Sequence, residues 1–250
     1  MAATAIAGLV VVRQVGMHWG RELRWEISVG RVTAAHRYDH TAYARALDVV
    51  VLVVVPLAAT ALGVWLVGQY LRGERRVAAY GGAILGALAI AETLKQTLAA
   101  RPGVPGKLAL GYPSGHTTVA IATALALVLV GPARRWTLPA AAGLATLVAE
   151  GVIIDGWHLP SDAAGGTCLA AAWVALAHAL DPVATLGRFE RRDLVAAGAT
   201  AAIVTLVLAT QPGVDGSLDA TRGTLAATLG AGLLAFAAVA AAAHPRRLST

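Results

Sequence analysis

Long stretches without charge, separated by short arginine-containing connections, most restrict how this chain can fold. A helix needs about 20 mostly apolar residues to cross a bilayer, and residues 49–68 contain no charged side chain at all. An eighth, weaker candidate at residues 2–16 is interrupted by Arg13. The seven stronger candidate spans are 49–68, 77–98, 116–131, 136–154, 163–180, 194–210 and 224–243. The sequence therefore predicts an all-α fold, a polytopic transmembrane helical bundle.

The composition excludes several other classes of protein. Only 14% of the 250 residues are charged and 57% are hydrophobic, whereas a soluble domain carries about a quarter charged residues. Intrinsic disorder needs low hydrophobicity and is excluded as well. One cysteine, Cys168, allows neither an internal disulfide nor a thiolate metal site. The net charge of +6 comes from residues dispersed between apolar blocks, so nucleic-acid binding is not expected.

The positions of the arginines indicate an orientation. Alternate connections are basic, and the positive-inside rule places them in the cytoplasm. These arginines are Arg72, Arg75, Arg76, Arg134, Arg135, Arg188, Arg191, Arg192, Arg246 and Arg247. The opposite connections, 99–115, 155–161 and 211–219, are expected to face outward. Residues 17–45, with five arginines, are expected to lie on the outer interface as an amphipathic segment. We see no repeat or linker and predict a single membrane domain over residues 1–250.

Two of the outward connections contain polar residues that topology does not explain. The first carries Lys95, Arg101, Ser114, Gly115 and His116, and the second carries His158 and Asp162. Lysine and arginine neutralise phosphoryl oxygens, and a helix beginning after Ser114 would offer backbone N–H groups to an anion. Asp162, four residues after His158 and on the same helical face, would orient that imidazole as nucleophile or base. His116 would protonate the leaving oxygen.

Each of these residues also has a plain structural interpretation. A single histidine at a membrane interface is more often structural, and Lys95 has a helical ion-pair partner in Glu92. Arg101 followed by Pro102 is compatible with a simple helix end. Because all of them fall on one side of the predicted bundle, we favour a site for phosphate esters.

The ordered set resembles the three-part signature of the type 2 phosphatidic acid phosphatase (PAP2) superfamily. Residues 113–116, Pro-Ser-Gly-His, reproduce the second part; His158 and Asp162 match the third, and Lys95 with Arg101 the first. The resemblance implies a six-helix core over about residues 46–180, with about two extra C-terminal spans over about 193–243. It also implies a phosphatase site that needs no metal and no cofactor.

By the same resemblance, each site residue has an expected role. His158 forms a phosphohistidine and Asp162 orients it. His116 acts as the acid. The phosphate is held by Lys95, Arg101, Ser114 and Gly115.

The chain departs from the family pattern at two places. Five residues separate Lys95 from Arg101 where six are usual, and Gly151 and Val152 stand where the family has Ser-Arg. Another cation, such as Lys107 or an arginine of residues 17–45, would compensate for the missing arginine. Alternatively, the substrate is bound by a different set of phosphate-binding residues. A third interpretation is that the protein has lost catalysis and kept lipid binding. We favour an active enzyme because both histidines and Asp162 are intact.

The expected activity is hydrolysis of a lipid phosphate by a phosphoric monoester or diphosphate hydrolase. Candidate substrates are (poly)prenyl phosphates or diphosphates and phosphatidate-type esters, attacked at the extracytoplasmic interface of a bacterial plasma membrane. A phospholipid-binding protein without chemistry and a phosphotransferase are the alternatives. The expected partners are the lipid substrate and the bilayer. Homo-oligomer formation and the role of the last two spans stay open.

Overall fold

The computed structural model describes residues 55–73, 75–98, 111–130, 135–154, 156–180, 189–209 and 218–243, and the isolated positions 7, 8, 10, 49 and 53. Seven α-helices make up the long elements of this part of the chain. They are α1 (Val55–Leu71), α2 (Arg75–Thr97), α3 (Gly115–Val130), α4 (Thr137–Ile154), α5 (Pro160–Leu180), α6 (Arg191–Ala209) and α7 (Leu218–Ala243). No strand occurs among the described residues, so the expected all-α class is confirmed there.

Each candidate span from residue 49 onward corresponds to one helix. The helices α5, α6 and α7 begin earlier than expected, at Pro160, Arg191 and Leu218. A purely apolar window leaves out the polar residues that favour the first turn of a helix. The candidate span at 2–16 and the arginine-rich residues 17–45 lie outside the described residues, apart from positions 7, 8 and 10.

Two described helices, α4 and α5, are long and apolar enough to cross a membrane. Shorter apolar helices cover 57–71, 115–130 and 229–242. The outward faces of the bundle expose large apolar side chains, including Val64, Leu85, Leu206 and Leu233. Exposed apolar surface of this extent is typical of contact with lipid or a partner, and the fold is compatible with membrane association.

Prolines occur in the first turns of α4 and α5. Pro56 and Pro139 were expected inside spans, where neighbouring helices would have to satisfy the freed backbone groups. The structure places Pro139 at the third residue of α4, and Pro160 opens α5, whereas Pro56 follows described helical residues at Val49 and Val53. A first-turn N–H has no intrahelical partner in any case, so proline removes nothing there.

Alanine-rich faces bring the helices close together around α3 and α4. Most of α3 is buried, including Ala120, Ala122, Ala124 and Ala126. Small side chains let helix axes approach, which gives lipid-embedded helices dispersion contacts in place of a hydrophobic driving force. The later helices α6 and α7 pack most extensively on α4. They therefore support the helix that leads into the second polar connection.

A buried carboxyl group connects α4 with these two later helices. Glu150 is fully buried, and its Oε1 accepts a hydrogen bond of 2.6 Å from the Thr205 hydroxyl of α6. Its Oε2 has no hydrogen-bond partner among the described residues. A Cβ at Gly232 of α7 would overlap the carboxyl group, so the absence of a side chain there makes room for it.

We expect Thr205→Val to lower the free energy of unfolding by about 1–3 kcal/mol, because it leaves a buried carboxyl oxygen without its donor. The measurement is the Tm of the purified protein in detergent. Thr200→Val is the matched control, since the Thr200 hydroxyl donates only to the Ala196 carbonyl of its own helix at 2.9 Å. An equal loss in both variants would contradict a specific role for the bond between Thr205 and Glu150.

Candidate active site

The starts of α3 and α5 meet at one end of the bundle, called here the site end. The Ser114 N–H donates to the Asp162 carbonyl at 2.9 Å, which joins the two polar connections through main-chain atoms. A Cβ at Gly166 would lie 2.7 Å from the Ser114 carbonyl oxygen. Only glycine permits that approach, so Gly166 lets α5 pack directly against the segment that precedes His116.

Ser114 caps the start of α3. Its Oγ accepts hydrogen bonds from the Thr117 N–H at 3.2 Å and from the Thr117 hydroxyl at 3.0 Å. Its carbonyl accepts from the N–H and the hydroxyl of Thr118, at 2.9 and 2.7 Å. Gly115 and His116 are the first two residues of α3, where the N–H groups have no acceptor within the helix. Such N–H groups, with the positive end of the helix dipole, form a favourable position for an anion.

His158 lies in a turn before α5 and not on the helix. Gly156 has a φ of 66°, the left-handed conformation that commonly ends a helix, and it follows the end of α4. The N–H groups of Trp157 and His158 then both donate to the Val152 carbonyl at 3.0 Å. The expectation that His158 and Asp162 share one helical face was therefore wrong, because α5 begins at Pro160, after His158.

Asp162 reaches His158 through the cap of α5. Its Oδ2 accepts a hydrogen bond of 2.9 Å from the Leu159 N–H, the reciprocal bond of a capping box. The same oxygen lies 3.5 Å from His158 Nδ1. Asp162 is fully buried and His158 is 8% exposed. The carboxylate is thus held beside Nδ1, which leaves Nε2 of His158 for chemistry.

The two histidines face each other across the site end. Their ring centroids are 6.1 Å apart and their planes are inclined by 60°. Trp157 packs edge-on against His116, with a centroid separation of 5.2 Å. His116 Nδ1 is buried and has no hydrogen-bond partner among the described residues. The two imidazoles are therefore close enough to act on the same bound group.

Lys95 and Glu92 meet the start of α3 from the end of α2. Their Nζ and Oε1 atoms form an ion pair of 2.7 Å. A Cβ at Gly115 would lie 3.0 Å from Lys95 Nζ and 2.6 Å from Glu92 Oε1. The helical ion pair named as the plain interpretation of Lys95 is therefore present, and it lies at the anion position. Glu92 is the site residue that the sequence argument treated only as an ion-pair partner, although its spacing from Lys95 indicated the contact.

The other expected site residues are not among those that the structure describes at the site end. Arg101, Lys107 and residues 17–45 lie outside the described residues. Val152, at the position where an arginine was expected, is buried in the apolar core. Of the described lysines and arginines, Lys95 is the one that lines the cavity beside His116. No group of three His, Cys, Asp or Glu side chains with the arrangement of a metal site occurs in the described part of the chain.

Comparison with known families gives one result. A family model of the PAP2 superfamily matches residues 58–185, slightly more than half of the chain. This stretch extends from α1 to beyond the end of α5 and contains every described residue of the site end. Comparisons with curated proteins and with solved structures give no significant match.

Proposed function

The chain belongs to the PAP2 superfamily, and from this premise we propose that it is a metal-independent phosphatase of lipid phosphates. The observation that carries the proposal is the pair of histidines with ring centroids 6.1 Å apart, one of them 3.5 Å from Asp162, beside Lys95 and the start of α3. Phosphate ester hydrolysis needs a nucleophile, an acid, and positively charged or N–H donor groups that bind the phosphate. The site end supplies all three.

The phosphoryl oxygens would be held at the start of α3. Gly115 and His116 are the first two residues of α3, so their N–H groups belong to the helix start, and Lys95 Nζ lies next to Gly115. Ser114 caps this helix start through its hydroxyl oxygen. Arg101 is proposed as the second cation. Val152 is buried and apolar and therefore cannot bind phosphate. The phosphate-binding arginine that the family has at this position would have to be replaced by a cation from another part of the chain.

Hydrolysis of the phosphate ester would then proceed in two steps. In the first, the Nε2 lone pair of His158 attacks phosphorus, the bond from phosphorus to the ester oxygen breaks, and His116 gives its proton to the leaving oxygen. Asp162 stabilises the charge that develops on the imidazole. In the second step, water attacks the phosphohistidine, His116 takes a proton from that water, and inorganic phosphate leaves as His158 Nε2 regains its lone pair.

The proposed setting is a bacterial plasma membrane with the site end on the extracytoplasmic side. The exposed apolar flanks of the bundle and the arginines at the opposite connections support this orientation. We further propose that α1–α5 belong to the family's six-helix core and that α6 and α7 are the two additional spans. A lipid phosphate would then keep its chain in the bilayer while its head group reaches His158.

Glu92 restrains the anion position in this mechanism, because its carboxylate occupies Lys95 and repels phosphate. We expect Glu92→Gln to tighten the inhibition constant of inorganic phosphate a few-fold, in line with about 0.2–1 kcal/mol for a half-exposed ion pair. The measurement is competitive inhibition of phosphate release. Glu190→Gln, which removes the carboxylate paired with Arg192 outside the site end, should leave the constant unchanged. Weaker inhibition in Glu92→Gln would show instead that Glu92 is needed to position Lys95.

The proposal is tested by phosphate release from purified protein given a polyprenyl diphosphate, a polyprenyl phosphate or phosphatidate. Release of phosphate from at least one of them is expected, with no requirement for added metal. The buried Val152 favours one other function, binding of a phospholipid without chemistry. Saturable binding without turnover on any of these substrates would support that alternative. Transfer of the phosphate to an added alcohol would identify a phosphotransferase.

A further inference from the structure

The helices α6 and α7 follow the stretch that matches the family and contribute none of the site residues described above. The match ends at residue 185, before α6 begins at Arg191. Both helices pack most extensively on α4. Any influence that they have on the proposed chemistry therefore has to pass through a neighbouring helix, and α4 is the one that they contact most.

Glu150 is the residue of α4 at which both later helices meet a polar group. It lies in the last turn of the helix, which ends at Ile154, and it is fully buried. The Thr205 hydroxyl of α6 donates to its Oε1 at 2.6 Å, and Gly232 of α7 lies so close that a Cβ there would overlap the carboxyl group. Burying a carboxyl group among apolar helices costs free energy, so ionisable residues within such helices are rare and usually functional. The mechanism described above makes no use of Glu150.

The same last turn of α4 holds the segment that presents His158. The Ile153 carbonyl accepts a hydrogen bond from the Gly156 N–H at 3.0 Å, and the Val152 carbonyl accepts from the Trp157 and His158 N–H groups, each at 3.0 Å. Glu150 precedes Val152 by two residues, about 3 Å along the helix axis. A displacement of this turn therefore moves His158, whereas His116 belongs to another helix, α3.

We propose that Glu150, Thr205 and Gly232 form a positioning cluster, through which α6 and α7 hold the last turn of α4 and with it the imidazole of His158. The proposal rests on the proposed phosphatase function. A reacting group misplaced by about 1 Å can cost about 10²-fold in rate, although no contact with the substrate is lost. The positioning cluster therefore acts on the rate of attack at phosphorus and not on phosphate binding, which is assigned to the start of α3.

Four variants change the positioning cluster in different ways. Thr205→Val removes the hydroxyl that donates to the carboxyl group, and Gly232→Ala introduces a Cβ that forces this group to move. Thr205→Ser keeps the donor, and Glu150→Gln keeps a carbonyl oxygen that accepts from it. The first two variants disturb the last turn of α4, and the other two are conservative replacements that preserve the hydrogen bond.

The same two helices provide matched controls at Thr200 and Gly230. Thr200 of α6 also lies against α4, because a Cβ at Gly143 would be 3.0 Å from its Cγ2, but its hydroxyl donates to the Ala196 carbonyl of its own helix. A Cβ at Gly230 of α7 would meet no atom within 4 Å. Thr200→Val and Gly230→Ala thus make the same chemical changes without touching Glu150.

The experiment measures single turnovers of dioleoyl phosphatidate and of a polyprenyl phosphate by an excess of the full chain in detergent. The released alcohol is followed, because it appears in the step that His158 performs. We expect Thr205→Val and Gly232→Ala to lower the maximum rate constant about tenfold. Thr205→Ser and Glu150→Gln should stay within about twofold of wild type, and both controls should be unchanged. A variant that only folds less completely needs more protein to reach the same maximum, so the maximum itself separates positioning from stability.

An unchanged maximum rate constant in Thr205→Val and Gly232→Ala, or an equal loss in the two controls, would overturn the positioning role and leave the phosphatase function intact. Wild-type protein without turnover on either substrate would overturn the phosphatase function instead. NMR of protein that contains isotopically labelled histidine then tests the positioning separately. The ring resonances of His158 should shift in Thr205→Val and not in Thr200→Val, and identical resonances in both would overturn the proposal.

Discussion

His158→Ala is expected to reduce phosphate release by at least about 10³-fold, because it removes the only atom placed to attack phosphorus in the proposed mechanism. The variant should also lose the covalent intermediate. With substrate labelled at phosphorus, a rapid quench into base should trap phosphohistidine on wild-type protein and none on the variant. The two measurements together separate a nucleophile from a residue that only binds phosphate.

His178→Gln is the control for this experiment. His178 lies near the end of α5, far from the turn before that helix which contains His158, and its Nδ1 is 2.9 Å from the Tyr80 hydroxyl. Its loss should cost stability of about 1 kcal/mol and leave the labelled intermediate in place. If His158→Ala still forms phosphohistidine, the nucleophile is another histidine and the assignment fails.

The second large effect concerns His116, and it should depend on the leaving group. An acid that protonates the leaving oxygen contributes about 10²–10⁴-fold. His116→Ala should therefore lose activity on that scale with an alkyl phosphate, whose leaving alkoxide needs the proton. With p-nitrophenyl phosphate, whose phenolate leaves as a stable anion, the loss should be less than about tenfold.

A purely structural role of His116 predicts a different pattern. If its contact with Trp157 only supports the turn before α5, the alanine variant should lose the same factor with both substrates. Trp157→Phe provides the comparison, since it keeps an aromatic ring against His116 and should change both rates alike. The ratio of the two rate losses thus decides between the acid and the structural role.

Much of this arrangement could be predicted from the sequence because long apolar runs have few alternative structures. The helices from residue 49 onward occur where the spans were expected, and the expected meeting of His116 with His158 follows from their position in connections on the same side. The details at the helix ends could not be predicted. The turn that places His158 before α5 depends on the positive φ of Gly156 and on the Val152 carbonyl, neither of which an apolar pattern indicates. The first-turn position of Pro139 was missed for the same reason.

Glu92 shows a second limit of prediction from the sequence. Its spacing from Lys95 predicts a helical ion pair, which is present, but only the approach of α2 to Gly115 places that pair at the start of α3. Contacts between helices depend on small residues distributed over several segments, and a single sequence does not indicate which faces meet. Arg101, expected in the same site, lies outside the described residues, and its role stays a prediction.

The bond from the Ser114 N–H to the Asp162 carbonyl affects how the site end can change over evolutionary time. It joins the two halves of the site through main-chain atoms, so ordinary side-chain replacements do not delete either partner. Side chains around the site end can therefore be replaced while the contact between the starts of α3 and α5 is kept. The register of these two helix starts is thus independent of most changes in side chain.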